Sequence, residues 1–222
     1  MFNIAIDGPA GAGKSSIAKE AARRLGFIYV DTGALYRTVA LNAIRNNVSL
    51  NDPAAIAETL PNAKISLAFA DGTQRVMLNG EDVSEQIRTP DVSAGASKVS
   101  AVPAVRQYLF DLQKNLAAEN DCLMDGRDIG TVVLPNAQLK VFLTASPEER
   151  ARRRWNQLKE AGTEADYDEI LKDVNQRDYQ DTHREIAPLK QAEDAVLLDT
   201  THMAFEEVVT ELLRLTEERR HG

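Results

Sequence analysis

The sequence predicts an α/β fold, in which helices flank a central parallel β-sheet and the body carries a small antiparallel β insertion and a helical lid. Three observations predict this fold. Short apolar runs alternate with helical patterns, a glycine-rich loop joins the first strand to the first helix, and one central segment contains paired strand-like runs instead. A chain of 222 residues can bury the core of one such unit.

Five short apolar runs predict the strands of the parallel sheet, because each has a helical pattern nearby and strands buried on both faces have this composition. The runs are residues 2–6, 27–30, 121–124, 139–143 and 195–198. Ligands bind outside the carboxyl ends of such strands. We therefore expect the loops 8–15, 31–33 and 125–128 to lie at a common edge of the sheet.

The antiparallel insertion is predicted at residues 60–95. Within it, residues 64–69 and 75–78 are strand-like, and the dipeptides Asp71-Gly72 and Asn79-Gly80 are typical of hairpin turns. We expect this insertion to cover the site of a second substrate, while a surface insert without a function is the alternative.

The remaining chain divides into a lid and a core. Residues 148–187 are rich in arginine and acidic residues, poor in apolar residues and helical in pattern, which predicts a lid. The core comprises residues 1–59, 96–147 and 188–222, and the helical run 204–218 closes it. The apolar face of this run is formed by Phe205, Val208, Val209, Leu212, Leu213 and Leu215.

The loop after the first strand is a complete G-x-x-x-x-G-K-[ST] phosphate-binding motif. Its glycines let backbone N–H groups point into one concavity, Lys14 can reach the β- and γ-phosphates, and the Ser15 hydroxyl suits Mg²⁺. The helix that follows would direct its N-terminus at the anion. An ordinary glycine-rich turn is the alternative. The predicted nucleotide-binding residues are Gly8, Pro9, Ala10, Gly11, Ala12, Gly13, Lys14, Ser15 and Ser16.

Charge and composition exclude several classes of protein. The net charge of −8 argues against a nucleic-acid-binding protein. No run approaches the ~18 apolar residues of a membrane span, and no basic leader precedes an apolar segment. The single Cys122 lies in an apolar run, which is typical of a reducing compartment, so we expect a cytoplasmic protein. No exposed apolar stripe indicates an interface, so a monomer is expected.

Arginines near strand ends are the candidate residues for phosphoryl transfer, because this reaction mainly requires a protein to position the substrates and neutralise their charge. Arg37 and Arg127 can each place two donors on a phosphate, although a surface salt bridge is the alternative for either. Asp128 can accept a hydrogen bond from a base, bind hydrated Mg²⁺ or hold Arg127. Asp31 can order magnesium-bound water or cap the next helix, and Thr32 can bind substrate or act as the cap.

Further arginines of the predicted lid are candidates for contacting the transferring phosphoryl group. They are Arg150, Arg154, Arg177 and Arg184. Runs of mixed charge are usually solvated helix faces, and these four cannot all share one face. We expect some to be functional and others structural. The three histidines are scattered without zinc-ligand spacing, so no protein-bound transition metal is expected.

Four motifs together resemble those of bacterial cytidylate kinases, and the resemblance extends over nearly the whole chain. They are Ile6-Asp7-Gly8-Pro9-Ala10-Gly11-Ala12-Gly13-Lys14-Ser15-Ser16, Asp31-Thr32-Gly33-Ala34-Leu35-Tyr36-Arg37, Gly80-Glu81-Asp82-Val83-Ser84 and Asp125-Gly126-Arg127-Asp128-Ile129-Gly130-Thr131-Val132-Val133. The resemblance implies the nucleoside monophosphate kinase fold of P-loop proteins. It also implies the Mg²⁺-dependent transfer of a phosphoryl group from ATP to CMP or dCMP, giving ADP and CDP or dCDP.

The resemblance also implies roles for individual residues. Lys14, Arg127 and Arg184 would be catalytic. Arg37, Arg127 and Arg184 would hold the acceptor phosphate, Ser97, Arg106 and Asp128 would bind cytosine, and Arg177 and Asp181 would approach the sugar. Thr32 stands where some relatives carry serine and retains the hydroxyl, so it is included among the substrate-binding residues. A P-loop kinase for another small acceptor, such as shikimate, and a nucleotide-responsive switch are the competing interpretations.

Overall fold

The structure is a computed structural model that describes residues 1–70 and 73–221. Its strands are β1 (Asn3–Asp7), β2 (Ile28–Asp31), β3 (Ile65–Ala70), β4 (Thr73–Leu78), β5 (Glu81–Asp82), β6 (Cys122–Gly126), β7 (Leu139–Thr144) and β8 (Val196–Asp199). Its α-helices are α1 (Lys14–Leu25), α2 (Thr32–Arg45), α3 (Pro53–Thr59), α4 (Pro90–Ser100), α5 (Pro103–Glu119), α6 (Pro147–Glu160), α7 (Tyr167–His183) and α8 (Phe205–His221). Short 3₁₀ helices occupy Leu60–Asn62 and Gln86–Arg88, and a π-helix occupies Ile129–Val133.

The main sheet has the strand order β2-β6-β1-β7-β8. Strand β7 pairs in parallel with both β1 and β8, with Val141 opposite Ile6 and Val196. Parallel pairing requires long crossover connections, and the helices between the strands provide them. The predicted α/β class with a central parallel sheet is therefore confirmed.

The predicted antiparallel strands form a second sheet with the order β3-β4-β5. Leu67 lies opposite Val76 in the β3–β4 pair. The two-residue connection between β4 and β5 is Asn79-Gly80, where φ is 53° and 86°. Positive φ at both positions is what a tight hairpin turn demands, and it explains why this dipeptide predicted one. The other predicted turn, Asp71-Gly72, lies outside the described residues.

The chain divides into two compact units. Unit 1 comprises Met1 and Phe27–Cys122, and unit 2 comprises Phe2–Gly26 and Leu123–Gly222. The division of the sequence into core, insertion and lid stays a prediction.

Unit 1 has its own apolar core, in which α2 packs against α4, α5 and β4. The approach of α4 to α2 depends on Gly95, since a Cβ there would lie 2.6 Å from Leu50 Cδ1 and 3.1 Å from Ala40 Cβ. The fully buried members of this core include Leu35, Ile56, Ile87 and Leu109.

In unit 2, the apolar strand β1 is buried, α1 packs against α8, and α8 packs against β7. Gly26 ends α1 in the left-handed conformation and its N–H donates to Ala22 O, which is a common way to end a helix. Helix α8 buries Val208, Val209 and Leu212, but Phe205, which the pattern placed on the same face, is exposed at the first residue of the helix. None of the helices in the described ranges is long and apolar enough to cross a bilayer.

Candidate active site

The phosphate loop, residues 8–15, depends on glycine at three positions. Gly8, Gly11 and Gly13 have φ of 150°, 76° and 88°, a backbone conformation that other residues rarely adopt. A Cβ at Gly8 would lie only 1.9 Å from the backbone oxygen of Leu143. Helix α1 begins at Lys14, and Gly13 has no side chain with which to cap it. The first N–H groups of α1 are therefore suited to an anion.

Lys14 is the buried cation of this loop. Its side chain is 5% exposed and its Nζ donates to Pro9 O at 2.7 Å. Burial, together with the positive charge of Arg127, lowers the pKa of Lys14 to about 7, while the nearby carboxylates of Asp125, Asp7 and Asp181 oppose this shift. Cations that repel one another in a buried place are stabilised by a polyanion, so this electrostatic arrangement suits a triphosphate.

Ser15 and Asp125 form a pair of oxygen ligands beside Lys14. Ser15 Oγ donates to Asp125 Oδ2 at 2.8 Å, and Asp125 is 4% exposed in β6. A hydroxyl and a carboxylate are ligands that Mg²⁺ prefers, so these residues fit the metal that accompanies a nucleoside triphosphate. The contact also brings the loops 8–15 and 125–128 together, as expected. Asp125 was missing from the predicted site residues, although a carboxylate ending an apolar strand was a usable signal.

Four predicted site residues of unit 2 meet in two ion pairs. Arg127 Nε donates to Asp181 Oδ2 at 2.7 Å, and Arg184 Nη2 donates to Asp128 Oδ1 at 3.3 Å. Asp181 and Asp128 are 8% and 5% exposed, so both carboxylates lie in a buried setting. The pairs orient the two arginines through bonds that a phosphate can replace. Arg177 is also on α7, with an exposed side chain.

Asp7, at the end of β1, holds the segment that follows Asp128. Its two carboxyl oxygens accept hydrogen bonds from the N–H groups of Ile129 and Gly130, each at 2.7 Å. Burial raises the pKa of Asp7 to about 6, although these two N–H groups oppose the shift. No role of Asp7 is among the sequence predictions, and its partners lie 122 and 123 residues away.

In unit 1, Asp31 caps helix α2. Its Oδ1 accepts from the N–H of Ala34 at 2.9 Å, and its Oδ2 accepts from Arg37 Nη2 at 2.9 Å. The capping alternative for Asp31 is therefore confirmed, and Thr32 is the first residue of the helix instead of its cap. Arg37 Nε is buried and has no hydrogen-bond partner among the described residues, which is unusual unless a ligand supplies one.

Two more of the predicted substrate-binding residues also belong to unit 1. Ser97 lies on α4 and Arg106 on α5, and both side chains are half-buried. Thr32 is buried, with an exposed fraction of 3%. The roles of all three stay predictions.

Comparisons with known proteins identify the family of the chain. Residues 4–218 match the family model described as cytidylate kinase. The chain is 51% identical over 214 residues to the cytidylate kinase of Caldicellulosiruptor saccharolyticus, covering 96% of this chain and 95% of that protein. It is 49% identical over 220 residues to that of Ligilactobacillus salivarius, covering 99% and 98%.

Solved structures support the same fold at low sequence identity. A shikimate kinase from Bacteroides thetaiotaomicron superposes with a TM-score of 0.50 at 14% identity, covering 97% of this chain and 98% of that one. An uncharacterized protein from Eubacterium ventriosum gives a TM-score of 0.53 at 10% identity, covering 98% and 99%. These likenesses concern the fold alone, whereas the family match extends over nearly the whole sequence. The chain belongs to the cytidylate kinase family.

Proposed function

We propose that this protein transfers the γ-phosphoryl group of ATP to CMP and dCMP, producing ADP and CDP or dCDP. The observation that carries the proposal is the grouping of cations in unit 2. Lys14 is close enough to Arg127 for the two charges to repel, and Arg127 and Arg184 are both held by buried carboxylates. Such a grouping suits the transfer of a phosphoryl group between two anions.

Lys14, Arg127 and Arg184 would act on the phosphates. In the proposed reaction, Lys14 exchanges the carbonyl of Pro9 for the β- and γ-phosphates. Arg127 and Arg184 exchange their carboxylates for phosphate oxygens, which accept two parallel N–H bonds from a guanidinium group. The acceptor phosphate of CMP is already anionic near pH 7, so the step requires no general base and depends on positioning and charge stabilisation.

Ser15 and Asp125 would hold Mg²⁺ together with the nucleotide. Their hydroxyl and carboxylate oxygens are of the type that this ion prefers, and their 2.8 Å contact supports a shared role. When bound, the ion neutralises charge on the β- and γ-phosphates.

Asp128 would distinguish cytosine from uracil. Cytosine presents an N4 amino donor where uracil presents an acceptor, and a carboxylate can accept hydrogen bonds but cannot donate them when ionised. Asp128 is buried, so a uracil oxygen placed against it would lose its water without gaining a donor. Pockets of this kind reject the wrong analogue by about 10⁴-fold.

The remaining roles follow the family resemblance. We infer that Thr32, Arg37, Ser97 and Arg106 bind the monophosphate substrate, and that Arg177 and Asp181 bind its sugar. The buried Nε of Arg37 has no partner in the part of the chain that the structure describes, which supports this assignment, because a phosphate oxygen would satisfy it. We further infer that the protein acts as a monomer in the cytoplasm, in pyrimidine nucleotide metabolism.

A coupled ADP-release assay tests the proposal. With Mg²⁺-ATP as donor, CMP, dCMP, UMP, AMP, GMP and shikimate are compared as acceptors at equal concentration. We expect rapid turnover confined mainly to CMP and dCMP. If protein that binds ATP releases no ADP with any of these nucleotides, the proposal is refuted, and a kinase for another acceptor or a nucleotide-responsive switch is favoured.

Two substitutions test the assigned residues. Asp128→Ala removes the acceptor, so the ratio of kcat/KM for CMP over UMP should fall, and Asp128→Asn should lower this ratio as well, because its amide N–H can donate to the uracil oxygen. Arg127→Ala should lower kcat by about 10² or more, because it removes a donor that stabilises the transferring phosphoryl group. Unchanged CMP kinetics in either alanine variant would remove that residue from the mechanism.

A further inference from the structure

Charged residues at intervals of three, on α7 and directly after it, pair with two other segments of unit 2: helix α6 and the residues that follow β6. Asp178 pairs with Arg150 on α6, and Asp181 pairs with Arg127. Arg184, which directly follows α7, pairs with Asp128. The second and third pairs involve residues proposed to bind substrate, whereas the first has no role in the proposed reaction.

Arg150 is the buried member of the first pair. Its side chain is 3% exposed, and its donors are directed at three different segments. Nε donates to Ala145 O at 2.9 Å, Nη1 donates to Ala10 O at 3.0 Å, and both Nη atoms donate to the carboxylate of Asp178. One guanidinium group therefore joins the phosphate loop at Ala10 to α7 at Asp178.

Helix α7 packs against α6, but on the side that faces the phosphate loop it borders a cavity. A cavity of about 400 Å³ lies between α7, the phosphate loop and the ends of β7 and β8. Its lining includes Pro9, Arg150, Asp178, Thr182 and Leu189. Beside a space of this size, the position of α7 relative to the loop depends on directional bonds, and a two-bond contact between a guanidinium and a carboxylate is the most directional available.

We propose that Arg150 is a positioning residue, which through Asp178 sets the place of α7 and thereby of Asp181 and Arg184 relative to the phosphate loop. The proposal rests on the proposed function. During the reaction Arg127 and Arg184 leave their carboxylates for phosphate oxygens, so two of these three ion pairs are released. The Arg150–Asp178 pair contacts no substrate in this scheme, and through Ala10 it remains as a link between α7 and the phosphate loop.

The test is a steady-state comparison of Asp178→Asn with wild type, with CMP and ATP varied separately. The amide that replaces the carboxylate cannot accept two charge-assisted hydrogen bonds. The ion pair between α7 and Arg150 is therefore lost, while Arg150 keeps both of its carbonyl partners. We expect KM for CMP to rise about tenfold or more, since a charge-assisted hydrogen bond of this strength is lost. KM for ATP should change less than about twofold, because the phosphate loop retains its contacts.

Asp173→Asn is the matched control. It removes the same charge from the same helix at an exposed position, so KM for CMP should stay at the wild-type value. If Asp178→Asn folds poorly, Arg150→Lys is the alternative test. It keeps a buried positive charge but lacks the two parallel N–H donors of a guanidinium group, so it should also raise KM for CMP. When Asp178→Asn and Arg150→Lys are combined, KM for CMP should not exceed the higher of the two single-variant values, because both substitutions remove the same contact.

The outcomes separate this proposal from the proposed function. If the wild-type protein does not phosphorylate CMP, the proposed function fails and this inference fails with it. If it does, and Asp178→Asn lowers the melting temperature while both KM values remain at wild type, Arg150 has only a structural role and this inference alone is overturned. Equal increases in both KM values for Asp178→Asn would likewise overturn it.

Discussion

The phosphate loop and helix α7 both carry charged groups of the candidate site, but the two regions are built differently. In the loop, Lys14 donates to Pro9, five residues away, and three glycines provide the backbone shape, although Ser15 and Ala10 also have distant partners. The ion pairs of α7 and of Arg184 directly after it join residues that are 28, 54 and 56 positions apart. The shape of the loop therefore depends on backbone geometry, whereas the placement of the charges of α7 depends on tertiary pairing.

This difference bears on how each region can work. In the loop a backbone carbonyl holds the buried Lys14, and α1 begins at this residue, so the backbone groups of the loop are positioned by the fold before substrate arrives. The arginines facing α7 are held by carboxylates, and a phosphate can take the place of a carboxylate at small cost. A rigid donor site and an exchangeable set of ion pairs are thus combined in unit 2.

Replacing Gly8 by alanine should have the largest effect, because it attacks the backbone on which the loop depends. The added Cβ would lie 1.9 Å from Leu143 O, and φ at this position is 150°. We expect a loss of about 4 kcal/mol or more in the free energy of unfolding, measured by urea denaturation. Gly80→Ala is the control, since φ is also positive there but no atom lies within 4 Å, so about 1 kcal/mol is expected. Equal losses would mean that the close approach at Gly8 is unimportant.

Lys14→Met should separate activity from stability in the loop. It removes the cation that would contact the phosphates, so kcat should fall by about 10² to 10³. The free energy of unfolding should stay the same or rise, because burial already lowers the pKa of this lysine to about 7 and methionine can occupy the site without charge. Steady-state kinetics and urea denaturation of the same preparation measure both. A strong loss of stability would show that Lys14 is mainly structural.

Asp7→Asn tests the tertiary contact that joins β1 to the segment after Asp128. The pKa of Asp7 is raised from 3.8 to about 6 in the folded protein, so the folded state binds more protons than the unfolded state between these values. The contribution of Asp7 to stability is therefore full below about pH 4 and declines as the pH rises through about 6. As the pH rises through this range, we expect the free energy of unfolding of wild type to fall by on the order of 1 to 3 kcal/mol relative to that of Asp7→Asn.

Urea denaturation of both proteins at several pH values between 4 and 7 measures this change, because contributions of the other groups cancel in the difference. Asp173→Asn is again the exposed control and should show no such window. A difference between wild type and Asp7→Asn that does not vary with pH would contradict a raised pKa at Asp7.

The smallest effect is expected at Trp155, a residue of α6 without an assigned role in the reaction. Its Nε1 donates to Ala165 O at 3.0 Å, joining α6 to the segment before α7. Trp155→Phe should lower the free energy of unfolding by about 1 kcal/mol, the usual net contribution of one hydrogen bond, and leave kcat unchanged. A fall in kcat of tenfold or more, seen in the coupled assay, would show that this contact also positions the arginines.

Much of the site was readable from the sequence where its function depends on neighbouring residues. The phosphate motif identified Lys14 and Ser15 because glycines at set spacings determine the loop shape locally. The Asn79-Gly80 turn was readable for the same reason. For Asp31, the sequence left a metal-related role and a helix cap open, and the bond to Ala34 shows the cap, while the metal-related role stays a prediction.

Other residues could not be assigned from the sequence because their partners are distant. The partners of Asp7 are the N–H groups of Ile129 and Gly130, and one partner of Arg150 is the carbonyl of Ala10, which only the tertiary structure brings close. For Phe205, the sequence predicted a contact that the structure does not show. Its position in the apolar pattern of α8 indicated burial, yet its side chain is exposed at the first residue of the helix.

The sequence by itself determined the α/β class, the phosphate loop and the family, since periodicity, turn dipeptides and a contiguous motif are properties of neighbouring residues. Only the tertiary structure decided which carboxylate holds which arginine: Asp181 for Arg127, Asp128 for Arg184 and Asp178 for Arg150. The physical reason is that an ion pair depends on the distance between two charges in space, and that distance is set by how helices and strands pack.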